Sequence, residues 1–237
     1  MNPAADAQPM QDVQGDGRWM SQHKRFLTDT KREPEVLFIG DSLIQNLART
    51  QLWKRMFEPL HCLNFGIGGD QTQHVLWRVQ NGELENLEPK VIVLLVGTNN
   101  YDHTAKQVAG GIVEIVSAIQ LKQPKAQIIV LGIPPRGEKP NPLRIKIKEI
   151  NDNLAMQLDD IENCTFLATD PSMYVDAEGK ISAMDMYDYL HLTSRGYQKL
   201  CDPLLELAQD LLQEFVKVEN TSQDSDSLAG DLATKAP

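Results

Sequence analysis

The sequence is poor in cysteine, has no long apolar run and has no excess of positive charge. Its 237 residues include three cysteines, Cys62, Cys164 and Cys201, which are odd in number and widely spaced. Such a set provides no disulfide framework, and buried free thiols are a more common outcome than a redox or metal role. No segment approaches the roughly 18 apolar residues of a membrane-spanning helix, so we expect no transmembrane segment.

Charge and histidine spacing exclude further classes of protein. The net charge of −10 argues against a nucleic-acid surface or an anionic-membrane patch as the main binding surface. His61, His74 and His103 have no cysteine, histidine or acidic partner at ligand spacing, so we expect neither a metal nor a cofactor. Residues 1–14 have no apolar signal-peptide core, which favours a cytoplasmic location.

The composition predicts three parts along the chain. Residues 1–15 lack periodicity and should form a flexible segment, loose or lying over the body. Residues 16–217 form the folded domain. Residues 218–237 are polar, serine-rich and acidic, which predicts a disordered tail.

Strands and helices alternate through the folded domain. Five short apolar runs predict strands over residues 35–39, 62–65, 91–96, 127–131 and 165–168. Helical periodicity predicts helices over residues 43–56, 72–80, 104–121, 143–159 and 194–215. This alternation predicts a three-layer α/β/α sandwich with a mostly parallel five-stranded sheet. Right-handed crossovers then bring the carboxyl ends of all strands to one edge, where ligands bind in such folds.

Three segments with polar or glycine residues fall on that edge. Gly-Asp-Ser-Leu at 40–43 follows the first strand and offers Ser42 as a nucleophile; a turn with a helix N-cap is the alternative. A glycine-rich block at 66–70 follows the second strand and could expose backbone N–H groups, or simply be a flexible turn. Asn99 follows the third strand, where its amide could donate into the cleft or belong to a β-turn.

A late Asp-x-x-His segment supplies the missing base. Asp188 lies three residues before His191 on a loop that must return to the sheet edge. The carboxylate can hold the imidazole, and the imidazole can take the proton of Ser42. A lone histidine is more often structural, but here the four signals converge on one edge. The chain has no Gly-x-Ser-x-Gly elbow, which disfavours the α/β-hydrolase fold.

These motifs resemble those of the SGNH (GDSL) hydrolases, which have a flavodoxin-like fold. Longer blocks resemble the catalytic α subunits of the type IB platelet-activating factor acetylhydrolases over about residues 11–215. They lie at residues 14–20, 63–70, 74–78, 97–100, 135–144 and 185–192.

The resemblance implies a role for each matching residue. Ser42 would be the nucleophile, His191 the general base and acid, and Asp188 the residue that orients it. The oxyanion hole would use the N–H groups of Ser42 and Gly69 and the Asn99 amide. Three further residues would wall a pocket for a very short acyl chain: Leu43, Thr98 and Leu190.

The resemblance also implies substrate and partners. The expected substrate is a platelet-activating-factor-like phospholipid or another short-acyl ester. Expected partners are a like catalytic subunit, as a homodimer or heterodimer, and the lissencephaly WD-repeat β-propeller. Residues 74–78 and 140–144 could serve an interface, or simply provide packing and a salt bridge. Two alternatives stay open: another SGNH reaction, such as carbohydrate deacetylation or thioester cleavage, and a role mainly as a scaffold for the propeller.

Overall fold

One sheet of five parallel strands organises the protein. The computed structural model describes the backbone of residues 2–233 and the side chains of residues 2–217. The strands are β1 (Val36–Gly40), β2 (Cys62–Gly66), β3 (Val91–Leu95), β4 (Gln127–Leu131) and β5 (Cys164–Leu167). Their order is β2-β1-β3-β4-β5, and every pairing is parallel. The prediction of a three-layer α/β/α sandwich is confirmed, and the strand ends differ from the predicted ones by at most one residue.

Seven α-helices flank the sheet. They are α1 (Arg18–Asp29), α2 (Ser42–Leu47), α3 (Gln51–Met56), α4 (Thr72–Arg78), α5 (Ala105–Lys122), α6 (Pro142–Leu158) and α7 (Ser194–Ala233). Short 3-10 turns lie at Pro3–Ala5, Thr30–Arg32, Glu58–Leu60 and Pro171–Met173, and a π-helical turn lies at Val79–Glu83. Helix α5 contacts α4 and α6, whereas α7 contacts α3 and β3.

Two helix predictions need correction. The helix predicted over residues 43–56 is two helices, because Thr50 adopts an extended conformation and its hydroxyl caps α3 by accepting from the Trp53 N–H at 3.1 Å. Helix α1 was not predicted at all. Helix α5 begins with a capping box, in which the Thr104 and Gln107 side chains each accept from the backbone N–H of the other.

The central strands explain why the sheet is parallel and where its edge lies. All five residues of β1 and all five of β3 are buried, as expected for strands covered by helices on both faces. Burying each large apolar side chain there stabilises the fold by about 1.5–3 kcal/mol relative to exposure. The order in which strands are added reverses between β1 and β3. The loops after these two strands and after β2 therefore meet at the ligand-binding edge.

The structure describes the two ends of the chain to different extents. Residue Ala4 is fully buried, so the N-terminal segment lies over the body at that point. The tail predicted over residues 218–237 overlaps the backbone of α7, which continues to Ala233, while its side chains lie outside the described residues. The boundaries 1–15, 16–217 and 218–237 stay a prediction. Over the part of the chain searched, no helix combines the length and apolarity needed to cross a bilayer.

Candidate active site

Ser42 lies at the junction between β1 and α2. It is the first residue of α2, and Asp41 is the N-cap, with its Oδ1 accepting from the Leu43 N–H at 2.9 Å. The alternative of a capped turn is therefore correct as local structure, but the cap is Asp41 and not the serine. This leaves the Ser42 hydroxyl available for another partner.

Asp41 is a buried carboxyl beside the serine. Its side chain is fully buried, and its Oδ2 accepts no hydrogen bond from any described group. Burial raises the pKa of Asp41 from 3.8 to about 7, with the Leu43 N–H opposing this and the Asp70 charge adding to it. Asp41 is thus partly protonated near neutral pH.

Ser42, His191 and Asp188 form a continuous hydrogen-bonded chain. The Ser42 Oγ lies 3.0 Å from the His191 Nε2, and the His191 Nδ1 lies 2.6 Å from the Asp188 Oδ2. With the proton of the neutral ring on Nδ1, facing the carboxylate, Nε2 is the acceptor that faces the hydroxyl. The three residues predicted from widely separated motifs therefore lie within hydrogen-bond reach of one another.

Asp188 is held in its charged form. Its Oδ1 accepts from the backbone N–H groups of His191 at 2.7 Å and Leu190 at 3.1 Å. Burial alone would raise the pKa of this carboxyl, but the hydrogen bonds from His191 and Leu190 outweigh it and hold the pKa below its usual range. A charged Asp188 can fix the tautomer of His191 and stabilise its imidazolium.

The loop that carries His191 is tightly turned and tied to its neighbours. Tyr189 has φ +60°, a left-handed conformation that is uncommon for an aromatic residue and that tends to occur at functional sites. The Tyr189 carbonyl accepts from the Gly137 N–H at 2.7 Å, which joins this loop to the one after β4. The Tyr187 ring stacks on His191 with centroids 5.8 Å apart. These contacts fix the imidazole opposite Ser42.

The glycine-rich loop after β2 runs beside the nucleophile. A Cβ on Gly68 would lie 3.7 Å from the Ser42 Cβ, so the loop passes directly alongside it. Gly69 has φ +85°, which other residues rarely adopt, and it is exposed. The loop residues 66–70 are called the oxyanion loop below.

Asn99 is attached to the same loop. Its side-chain Nδ2 donates to the Asp70 carbonyl at 2.9 Å, and its own carbonyl accepts from the Gln71 Nε2 at 2.8 Å. An amide nitrogen carries two hydrogens, so this bond leaves one N–H to serve a ligand. The predicted oxyanion residues thus belong to one connected structure next to Ser42.

The three predicted pocket residues occupy different environments. Leu43 is 1% exposed, and its carbonyl accepts from the Tyr197 hydroxyl at 2.6 Å. Thr98 is buried, and its Oγ1 accepts from Arg136 at 3.2 Å. Leu190 is half-buried, next to His191. Their role as walls of an acyl pocket stays a prediction.

A buried charge network lies behind the oxyanion loop, and sequence reasoning missed it. Arg78 is fully buried; its Nε donates to the Asp70 Oδ2 at 2.9 Å and its Nη1 to Glu83. The Arg78 Nη2 also donates to the Gly40 carbonyl at 3.2 Å, at the end of β1. From α1, the Trp19 Nε1 donates to the Asp70 Oδ1 at 2.6 Å, and the His23 Nδ1 lies 3.0 Å from the Glu83 Oε1. The network ties together the oxyanion loop, β1 and α1.

The ionisation of this network follows from burial and charge. Burial would lower the pKa of Arg78, but the Glu83 and Asp70 carboxylates raise it, so the guanidinium stays charged. Burial raises the pKa of Asp70 to about 6, against the charge of Arg78 and the Trp19 hydrogen bond. Burial and the Arg78 charge lower the pKa of His74 to about 4, so this ring is neutral and its Nδ1 accepts from the Gln71 N–H at 3.1 Å.

This network bears on the two interpretations of residues 74–78 at three of these positions. Val75, Leu76 and Arg78 are buried, and Arg78 forms salt bridges inside the protein. Packing and a salt bridge are therefore correct for these three residues. One sequence signal could have revealed α1 and its inner face. The spacing of Trp19, His23 and Phe26 places three ring side chains on one helical face.

The thiols lie apart from this chemistry. Cys201 is buried, while Cys62 and Cys164 are half-buried, and all three are free. Burial raises the pKa of Cys164 to about 11 and that of Cys201 to about 12. Such thiols are not nucleophiles at neutral pH.

Comparisons with known proteins show which proteins this chain resembles. A family model described as the GDSL-like Lipase/Acylhydrolase family matches residues 38–199. Platelet-activating factor acetylhydrolase IB subunit alpha2 of Homo sapiens and that of Bos taurus are each 54% identical over 222 residues, spanning 93% of this chain and 96% of the relative. Subunit alpha1 of Rattus norvegicus is 53% identical over 214 residues, spanning 90% and 92%.

Solved structures share the fold at lower identity. A putative platelet activating factor from Streptococcus pneumonia superposes with a TM-score of 0.67 at 24% identity, covering 83% of this chain and 97% of that one. A GDSL-like lipase from Bacteroides thetaiotaomicron gives 0.65 at 20% identity, covering 78% and 98%. These likenesses concern the fold alone.

Proposed function

Because the chain belongs to the GDSL-like lipase/acylhydrolase family, we propose that it is a serine esterase working through a Ser42-His191-Asp188 triad. The family and the 54% identical relatives make it a carboxylic ester hydrolase. The observation that carries the triad is the hydrogen-bonded chain from the Ser42 Oγ through His191 to Asp188, at 3.0 and 2.6 Å.

The reaction proceeds in two halves. The Ser42 Oγ attacks the ester carbonyl carbon while the His191 Nε2 accepts the hydroxyl proton. The tetrahedral oxyanion is stabilised by the N–H groups of Ser42 and Gly69 and by the Asn99 amide. His191 then donates its proton to the departing alcohol oxygen, which leaves an acyl group on Ser42. Water, deprotonated by His191, releases the acid and restores the serine.

The proposed substrate is a phospholipid with a short acyl group at the sn-2 position, such as acetyl. The support is the name of the relatives, platelet-activating factor acetylhydrolase, together with the tight surroundings expected from Leu43, Thr98 and Leu190. The leaving group is then a lysophospholipid-like alcohol. We further infer that the chain works beside a like subunit, because the relatives are named as subunits alpha1 and alpha2. A cytoplasmic location stays a prediction from the sequence. The WD-repeat propeller stays a prediction from the resemblance.

The experiment compares acyl lengths on one glycerophosphocholine backbone. Native protein is assayed with sn-2 acetyl, butanoyl and long-acyl substrates beside a Ser42→Ala variant. Ser117→Ala is the matched control, because Ser117 is an exposed serine on α5 whose hydroxyl donates to the Val113 carbonyl. We expect fastest turnover of the acetyl ester, its loss in Ser42→Ala and native rates in Ser117→Ala.

Two results would contradict the proposal separately. Hydrolysis retained by Ser42→Ala would contradict the proposed catalytic triad. Faster turnover of long-acyl esters would leave the triad but overturn the acetyl preference. A panel of acetylated sugars and acyl thioesters, hydrolysed faster than the phospholipid, would assign the same site to another substrate class.

A further inference from the structure

The first residues of the chain form a strap that reaches the active-site edge. This N-terminal strap, residues 2–10, begins at α5, where the Asn2 Nδ2 donates to the Gln107 carbonyl at 2.9 Å. Its short turn buries Ala4 completely. The Gln8 N–H then donates to the Gln73 carbonyl at 3.3 Å. The strap therefore crosses from α5 to α4 toward the oxyanion loop.

Its anchor is connected to one predicted oxyanion donor. The Ala4 carbonyl accepts from the Thr72 Oγ1 at 2.7 Å. The same Thr72 donates its N–H to the Asn100 Oδ1 at 3.1 Å and accepts from the Asn100 Nδ2 at 3.0 Å. Asn100 directly follows Asn99. The anchor thus fixes the backbone beside the amide that faces the oxyanion.

Close approach at the anchor requires a glycine. A Cβ on Gly111 would lie 2.4 Å from the Ala4 carbonyl oxygen, well inside any real contact. A Cβ on the neighbouring Gly110 would meet only the end of the Asn2 side chain, at 2.9 Å. Because Gly111 has no side chain, the strap backbone can approach helix α5 closely at this residue.

The far end of the strap reaches the other predicted donor. The Met10 Cε lies 3.3 Å from the position that a Cβ on Gly69 would take, so its methyl sits against this glycine. Met10 is half-buried and packs on the core, whereas Gly69 is exposed and in a left-handed conformation. The flexible thioether side chain suits contact with an irregular loop surface.

We propose that the N-terminal strap is part of the active site, with Ala4 and Met10 as positioning residues for the oxyanion loop. Anchored at Thr72 and Gly111, it lays Met10 against Gly69 and holds the Gly69 N–H and the Asn99 amide in register with Ser42. The inference rests on the proposed function, because it assigns these groups to the oxyanion hole.

The proposal predicts a particular kinetic signature. Oxyanion donors act mainly in the transition state, so a displaced loop lowers kcat and leaves KM nearly unchanged. A strap that served stability alone would lower the melting temperature and leave kcat at the native value.

The test uses two neighbouring glycines of the same helix in the full-length protein. Gly111→Ala pushes the Ala4 carbonyl away, whereas Gly110→Ala is matched in helix propensity and displaces only the Asn2 side chain. Ala4→Glu releases the strap from its other side without changing α5. Met10→Ala removes only the contact with Gly69. Each variant is assayed with the sn-2 acetyl substrate, and its loop is followed by hydrogen–deuterium exchange of a peptide spanning residues 66–72.

We expect Gly111→Ala and Ala4→Glu to lower kcat about tenfold with KM changed less than about twofold. Both should speed exchange in the oxyanion loop, Met10→Ala should have a smaller effect of the same kind, and Gly110→Ala should match the native protein. Native exchange in both release variants overturns the proposal whether or not the substrate is correct. So does a loss confined to Gly111→Ala, because a Cβ there would also lie 2.9 Å from the Thr72 Oγ1, and the cause would then be Thr72 and not the strap. Absence of acetyl-ester turnover by native protein speaks only against the proposed function.

Discussion

The triad and the buried charge network lie on two sides of the same loop, but their ionisable side chains differ in exposure to solvent. In the triad, the His191 and Asp188 side chains are 23% and 44% exposed. In the network, the Arg78, Asp70 and Glu83 side chains are all 0% exposed. The groups proposed to do chemistry are open to solvent and substrate, while the most deeply buried charges touch no reacting atom.

From this difference we infer that the chain separates catalysis from positioning. A triad residue contributes by moving a proton or stabilising charge, so its loss should remove activity and leave the fold intact. Arg78 contributes by holding Asp70 in the oxyanion loop and Gly40 at the end of β1. Its loss should damage the fold, because two carboxylates would be left buried without their cation.

The largest expected effect falls on the triad. His191→Gln should lower kcat/KM about 10⁴-fold or more, because it removes the group that is proposed to accept the Ser42 proton. The unfolding free energy should change by less than about 1 kcal/mol, since His191 is partly exposed. Steady-state kinetics and urea unfolding measure the two quantities. His61→Asn, at an exposed histidine with φ +50°, is the control and should behave as native. A destabilisation of several kcal/mol in His191→Gln would contradict the expectation that triad residues contribute to activity and not to the fold.

The next effect separates two arginines. Arg78→Met should destabilise the protein by about 3–5 kcal/mol, because it breaks a buried ion pair on one side only. Arg18→Met is the matched variant: Arg18 pairs with Asp16 at the surface and is 73% exposed, so its loss should cost below about 1 kcal/mol. Urea unfolding monitored by tryptophan fluorescence compares them. Equal destabilisation of both variants would contradict the structural role of the network.

Asn99 lies between the two regions, because it is a proposed oxyanion donor and its Nδ2 also donates to the carbonyl of Asp70, a residue of the buried network. Asn99→Ala should lower kcat about 10²–10³-fold if its amide stabilises the oxyanion. The expected change in KM is small, since the bond is made mainly in the transition state. A variant that raised KM while keeping kcat would instead make Asn99 a substrate-binding residue and move it out of the oxyanion hole.

The last prediction concerns Asp41, a buried carboxyl beside the half-buried Ser42. Since burial raises its pKa from 3.8 to about 7, the folded state binds a proton more tightly than the unfolded chain. The stability contributed by Asp41 is therefore fully present below about pH 4 and is lost as pH rises to about 7. Relative to Asp41→Asn, the native protein should lose about 1.4 kcal/mol per pH unit in that window. Urea unfolding at four pH values measures the difference, and a constant difference would contradict it.

The sequence predicted the sheet well because its signal is local. Strand β3 is a continuous apolar run, and a covered parallel strand requires one. Ser42 was predicted from the motif at the end of the first strand, and Asp188 and His191 from an Asp-x-x-His segment on a later loop that returns to the same edge. Each of these inferences depends on a pattern within a few residues and on one rule of chain connection.

The rest depends on contacts between distant residues, which no local pattern reveals. Helix α1 was missed because its inner face carries Trp19 and His23, whose polar ring atoms hide an apolar stripe. Arg78 resembles any surface arginine until Asp70 and Glu83 are seen against it. The strap was predicted as a flexible segment, loose or lying over the body. Its particular contacts were not predicted, because the contact between Met10 and Gly69 joins residues that are far apart in the chain.

Covalent labelling tests the central claim, that Ser42 is the nucleophile of an exposed triad. Native protein is treated with diisopropyl fluorophosphate, digested and analysed by peptide mass spectrometry. We expect a single phosphoryl adduct on Ser42, absent in Ser42→Ala and greatly slowed in His191→Gln. An adduct on another residue, or equal labelling of native and Ser42→Ala protein, would contradict it.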